Sequence, residues 1–129
     1  MKYRFNLQHV LALRHAYPIT YKQLLFLYDQ VQQLDELPML PQQLLLKVFK
    51  IGSERLAKML GDFHRFNTPS IIEFYFEKQI HLIPFWCENY PSILLRLIDP
   101  PVLLFAKGDI GLLNKPYKIA CIGSRNATQ

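Results

Sequence analysis

Two cysteines are all that this chain of 129 residues contains. Cys87 and Cys121 have no neighbours at metal-ligand spacing, and so sparse a pair is no disulfide framework, which points to a reducing cytoplasm. Long apolar runs are missing too. No stretch approaches the roughly 18 uninterrupted apolar residues that a membrane span needs. The N-terminal segment has a charged start, but Gln8, His9, Arg14 and His15 interrupt its apolar residues, and it lacks the core of a signal peptide. A soluble, intracellular protein without a membrane partner is expected. The four histidines, His9, His15, His64 and His81, never stand at i, i+4 with one another or with a cysteine, which argues against a metal. Ser124 has no G-x-S-x-G frame, and no His/Asp pair is placed to activate it. Neither an enzyme nor a cofactor is read from these residues.

Half of the residues are hydrophobic and 19% are charged, enough to bury a core and too few charges for a disordered chain. The formal charge is +5. The excess lies in residues 1–68, with nine Lys/Arg against five Asp/Glu, while residues 69–129 have six against five. That imbalance is compatible with an anionic partner such as nucleic acid, but on charge alone an ordinary soluble domain is the preferred reading. Arg14, Lys22, Lys47, Lys50, Arg55 and Lys58 fall on four different predicted helices, so no single basic stripe is expected.

From Asn6 to about Lys78 the apolar residues recur with a period near 3.6. A first helix carries Leu7, Val10 and Leu11 and ends before Pro18. A second is capped by Thr20, with Gln23 answering three residues later, and buries Leu24, Leu27, Tyr28, Val31 and Leu34. A third begins at Pro41 and carries Leu44, Leu45 and Val48. The fourth follows Gly52, with Ser53 as its cap and Leu56, Ala57, Met59, Leu60 and Phe63 buried. The fifth opens at Thr68-Pro69 and buries Ile71, Ile72, Tyr75 and Phe76. Five short helices in this span make a compact helical module.

The pattern changes after Lys78. Gln79–Ile83, Val102–Ala106 and Lys118–Ile122 are short apolar runs bounded by proline or glycine and read as strands. Helical turns at Pro91–Leu97 and near Ile110–Leu113 separate them, an alternation typical of the start of an α/β sheet. The last two strands are expected to be parallel neighbours. The boundary between the two parts falls near residues 78–84, giving segments 1–78 and 79–129.

The last strand runs into Gly123-Ser124-Arg125-Asn126-Ala127-Thr128. A strand followed by a glycine turn is where α/β proteins hold anions, because free backbone N–H groups and the next helix's N-terminus converge there. Gly123 allows close backbone approach, Ser124 can donate a hydrogen bond, and Arg125 can grip two phosphate oxygens. Taken alone, the triplet is weak and reads more readily as a plain turn with a surface arginine. Phe49–Lys58, with Gly52 between two helices and Lys50, Arg55 and Lys58 nearby, resembles a degenerate helix-hairpin-helix. Its usual second glycine is missing, and the preferred reading is that Gly52 ends a helix and the basic residues are solvated. Phe74, Tyr75, Phe76, Phe85, Trp86 and Tyr90 could stack on bases. Interleaved as they are with apolar residues, most are expected to pack the junction between the two parts. Cys121, in mid-strand, reads as a small buried hydrophobe.

Tyr90-Pro91, then Ile98-Asp99-Pro100-Pro101-Val102-Leu103-Leu104-Phe105, Lys107-Gly108-Asp109 and the run from Ile119 to Thr128 together strongly resemble the DprA/Smf family of DNA-processing proteins. The resemblance covers roughly residues 80–129; residues 1–78 match only in type. It implies a helical SAM-like domain followed by the truncated opening of a Rossmann-like parallel α/β domain. It also implies single-stranded DNA binding, protection of incoming DNA, loading of the RecA recombinase in natural transformation, and homodimers in intact members. Only Gly123, Ser124 and Arg125 of the family's DNA-contacting pocket carry over, the later glycine-rich loop and the dimer and RecA surfaces being expected beyond Gln129. Two other classes stay open: a Rossmann-like enzyme holding a nucleotide phosphate at Gly123–Arg125, and a helical protein-interaction module.

Overall fold

The computed structural model describes residues 3–126. Five α-helices come first: α1 (Leu7–Ala16), α2 (Tyr21–Gln30), α3 (Gln42–Phe49), α4 (Ser53–Phe66) and α5 (Ser70–Glu77). A 3₁₀ segment, Leu34–Met39, links α2 to α3. Two short strands follow, β1 (His81–Pro84) and β2 (Leu103–Ala106), with 3₁₀ turns at Ser92–Arg96 and Ile110–Asn114. The described molecule is thus mostly helical with one small sheet.

The centre of the module is α1. Val10, Leu11, Ala12 and Leu13 are all fully buried. Four successive residues at about 100° each sweep most of a helix's circumference, so α1 is enclosed on nearly every side. It packs against α4, α5 and the 3₁₀ segment Leu34–Met39. Amphipathic α4 lays Leu56, Met59 and Phe63 against it, while Ala57, read as buried, is exposed. The same core cluster includes Val102 and Leu103, so the apolar interior continues from the helices onto β2.

Local chemistry sets the helix ends. The Thr20 hydroxyl accepts from the Gln23 N–H at 3.1 Å and the Gln23 amide oxygen accepts from the Thr20 N–H at 3.0 Å, closing the capping box. The Gln23 amide also donates to the Val48 carbonyl at 2.9 Å, tying α2 to the end of α3. Three expectations are corrected. Leu34 is buried on the 3₁₀ segment and not on α2, which ends at Gln30. Ser53 is the first residue of α4 and Gly52 its cap, with no side-chain bond. Phe76 is 82% exposed, because Ile71 turns inward on α5 and the 100° step carries Phe76 off that side.

The sheet departs furthest from expectation. β1 pairs antiparallel with β2, in register from His81 with Ala106 to Pro84 with Leu103. Lys118–Ile122 forms no strand and has no parallel pairing with Val102–Ala106. Ile119 and Ile122 are 92% and 96% exposed and Cys121 is exposed as well, not buried. An apolar run becomes a strand only when a ladder partner takes up its N–H and C=O groups, and none is present among the described residues.

Candidate nucleic-acid interface

Gly123, Ser124 and Arg125 lie on an exposed stretch of non-helical, non-strand chain. The Ser124 hydroxyl accepts from the Asn126 N–H at 3.2 Å, a local turn that holds the serine oxygen beside the backbone. A Cβ added to Gly123 would meet nothing within 4 Å. The Arg125 guanidinium has no hydrogen-bond or ion-pair partner among the described residues. Ala127 and Thr128 of the same motif lie outside the described residues.

The residues leading up to the loop build scaffold. Tyr90 is buried and its hydroxyl donates to the Pro101 carbonyl at 2.7 Å. Asp99 accepts from the Tyr21 N–H at 3.2 Å, at the first residue of α2, where a carboxylate suits the positive end of the helix. The Phe85 N–H donates to the Val102 carbonyl at 3.2 Å. In Lys107-Gly108-Asp109 the glycine is required, since its φ is +108°. The Asp109 carboxylate then caps the next turn by accepting from the Gly111 N–H at 2.9 Å.

At the α3–α4 hairpin, Lys50 rather than Gly52 ends the first helix, in the left-handed conformation with φ 53° and ψ 44°. Lys58 and Arg65 both reach Asp62, at 3.4 and 3.1 Å, and both cations remain largely in water. Screened pairs of this kind contribute little to stability.

The aromatic side chains divide into two groups. Phe85 and Trp86 join Phe5 and Tyr21 at the junction of helices and sheet: Trp86 stacks on Phe5 at 4.7 Å, and Phe85 meets Phe5 and Tyr21 edge-on at 5.0 and 4.9 Å. Tyr75 bridges to β2 through Phe105 at 5.3 Å. Phe74 and Phe76 stay in solvent.

The structure also assembles a group of residues that sequence spacing did not indicate. His15 on α1 and Tyr75 on α5 hydrogen-bond at 2.7 Å, beside Phe66 and Arg65 at the end of α4. Burial, and then the neighbouring Arg14 charge, push the His15 imidazole below its ordinary value. Three elements supply these residues, and α1 is far in the chain from α4 and α5, so no local motif could reveal them. Among the described residues no three His, Cys, Asp or Glu side chains stand together as metal ligands. No helix of the described residues is long and apolar enough to cross a membrane.

Residues 81–129 match the family model of DNA recombination-mediator protein A. A stretch of 62 residues is 45% identical to the DNA processing protein DprA of Bacillus subtilis (strain 168), covering 48% of this chain and 21% of that protein. The match therefore spans about a fifth of the relative's length. No solved structure matches the chain.

Proposed function

Since residues 81–129 carry the sequence of the DNA recombination-mediator protein A family, we propose that the chain is part of a non-enzymatic, cytoplasmic protein that binds single-stranded DNA. Such a protein protects incoming DNA and helps load RecA onto it in natural transformation. Residues 1–78 are its SAM-like helical domain, and residues 79–129 open its Rossmann-like DNA-binding domain, which forms a homodimer when complete.

One observation carries the reading: the family match runs through Gly123, Ser124 and Arg125, and Arg125 is exposed with its guanidinium uncommitted. A planar fork of N–H donors on an exposed turn suits the oxygens of a phosphodiester. Lys118–Ile122, apolar and exposed here, has the composition of a central strand and would gain a ladder within a larger sheet.

The test is Arg125→Ala in a full-length family member carrying this loop. Binding of single-stranded DNA should weaken by about 1–3 kcal/mol. The slope of log affinity against log salt should fall by about 0.7, one contact's worth for a single strand, equally for different base sequences. Arg125→Lys should restore part of the affinity, because a point charge cannot reproduce the fork. Unchanged affinity and slope would make the loop a plain turn.

A further inference from the structure

We propose that the cleft between α1, the end of α4 and α5 is a second contact for single-stranded DNA, in which a base stacks on Phe74 while Arg65 and Lys78 hold the flanking phosphates. The ligand class rests on the proposed function, but the site lies on a different part of the molecule and on different observations.

The cleft encloses about 440 Å³ and contains no carboxylate in its lining. Phe74 is 52% exposed although it is a large aromatic, and it stands in this lining. Its ring meets Tyr75 edge-on at 5.2 Å, and Tyr75 is in turn fixed by the 2.7 Å bond to His15. The platform is therefore held from behind. The Lys78 ammonium lies 4.9 Å from the Phe74 ring centroid, and the exposed half of that ring offers surface on which a base can stack. Arg65, 4.9 Å from the Phe66 ring and in a largely solvated pair with Asp62 at 3.1 Å, brings a second cation to the rim. The Thr68 and Ser70 hydroxyls, 2.7 Å apart, share one hydrogen bond and leave a second proton to donate.

Aromatic faces set among cations, with no base-edge reader, are the chemistry of single-strand binding without sequence preference. A lining that holds the Arg65 cation and no carboxylate suits a polyanion better than an apolar protein partner. Glu77 lines a separate groove, with Phe76, His81 and Lys107, and Asp62 is engaged by Lys58 and Arg65 outside the lining. Phe76, more exposed still but lining that separate groove, supplies an internal control.

The experiment is fluorescence anisotropy of a labelled oligothymidylate titrated with the 129-residue chain. Phe74→Ala should weaken binding about five- to tenfold, and Arg65→Ala should weaken it and flatten the salt dependence. Phe76→Ala should leave binding unchanged. Phe74→Trp should retain affinity, and the introduced indole should be quenched on addition of the oligonucleotide. Both phenylalanines are exposed, so truncation should leave the fold intact, which circular dichroism checks. Equal losses from Phe74→Ala and Phe76→Ala would show general surface adhesion and overturn the proposal. So would binding that Phe74→Ala leaves unchanged, or no binding by the unaltered chain; neither result touches the Arg125 reading, which is tested separately in the full-length protein.

Discussion

The hydroxyl of buried Tyr90 donates to the carbonyl of Pro101 at 2.7 Å. This one bond joins the Tyr90-Pro91 and Asp99-Pro100-Pro101 segments and closes the loop that delivers the chain to β2. Burial, and then proximity to Tyr21, raise the phenol above its ordinary value, so it remains a donor throughout the neutral range. Tyr90→Phe keeps the ring and removes the donor. Stability should fall by about 1 kcal/mol, read as a lower urea midpoint at unchanged slope. A midpoint equal to that of the unaltered chain would mean that water replaces the phenol at no cost.

Asp99 couples the same segment to the helices, through its bond from the Tyr21 N–H at the start of α2. Asp99→Ala should cost about 0.5–1 kcal/mol through loss of the bond and of the charge near the helix N-terminus. Asp99→Asn keeps an acceptor and should recover most of the loss. Because Asp99 is exposed, the remaining difference between Asp and Asn should vanish in high salt. Denaturant titrations of the three proteins at low and high salt measure each part, and a difference between Asp and Asn that persists in high salt would contradict the dipole argument.

Tyr28 gives the chain an alkaline limit. Burial drives its phenol up to about 12, with the Asn6 N–H pulling slightly the other way and Asp35 adding a small upward push. In the unfolded chain a tyrosine titrates near 10. The folded state therefore holds its proton longer, and the associated stability is complete below about pH 10 and is lost as pH rises toward about 12. The loss should amount to about 2–3 kcal/mol. Tyr28→Phe removes the titration, so its stability should decline less steeply over that window. Parallel declines in the two proteins would show that lysines or other tyrosines govern alkaline unfolding.

The helical half was largely legible because it is written in local rules. Thr20 and Gln23 specify a start three residues apart, and Leu24, Leu27 and Tyr28 specify a face. Leu34 shows where that logic stops. Its spacing continues the pattern of α2, but the helix ends at Gln30 and the residue is buried through a different element. Apolar spacing records which residues must be buried; it does not distinguish one helix from two elements that share a core. Lys118–Ile122 failed for a different reason. Strand formation needs a partner remote in sequence, and the described residues supply none. At the site, Gly123–Arg125 was visible as a motif, whereas the His15, Arg65 and Tyr75 cluster depends on the packing of three helices and leaves no periodic trace.

The hairpin between α3 and α4 contains a correctable strain. Lys50 holds φ 53° and ψ 44°, a region where a side chain's Cβ crowds the following carbonyl at a cost of about 1–2 kcal/mol. Its N–H still donates to the Leu46 carbonyl at 2.9 Å, so the residue terminates α3 as a glycine ordinarily would. Lys50→Gly should relieve the crowding. Part of the gain is offset by the greater freedom of glycine in the unfolded chain, about 0.4–1 kcal/mol. The net effect should be a stabilisation of up to about 1 kcal/mol, visible as a rise of a few degrees in Tm. Lys50→Ala removes the charge and the stem but keeps the Cβ, so it should leave Tm nearly unchanged. Lys50→Val, branched at Cβ, tolerates this conformation worst and should lower Tm. The ordering Gly, then Lys and Ala together, then Val is the signature of backbone strain in thermal unfolding. If Lys50→Ala raised Tm as much as Lys50→Gly, the benefit would come from removing the lysine side chain and its charge, and the conformation at Lys50 would cost nothing measurable.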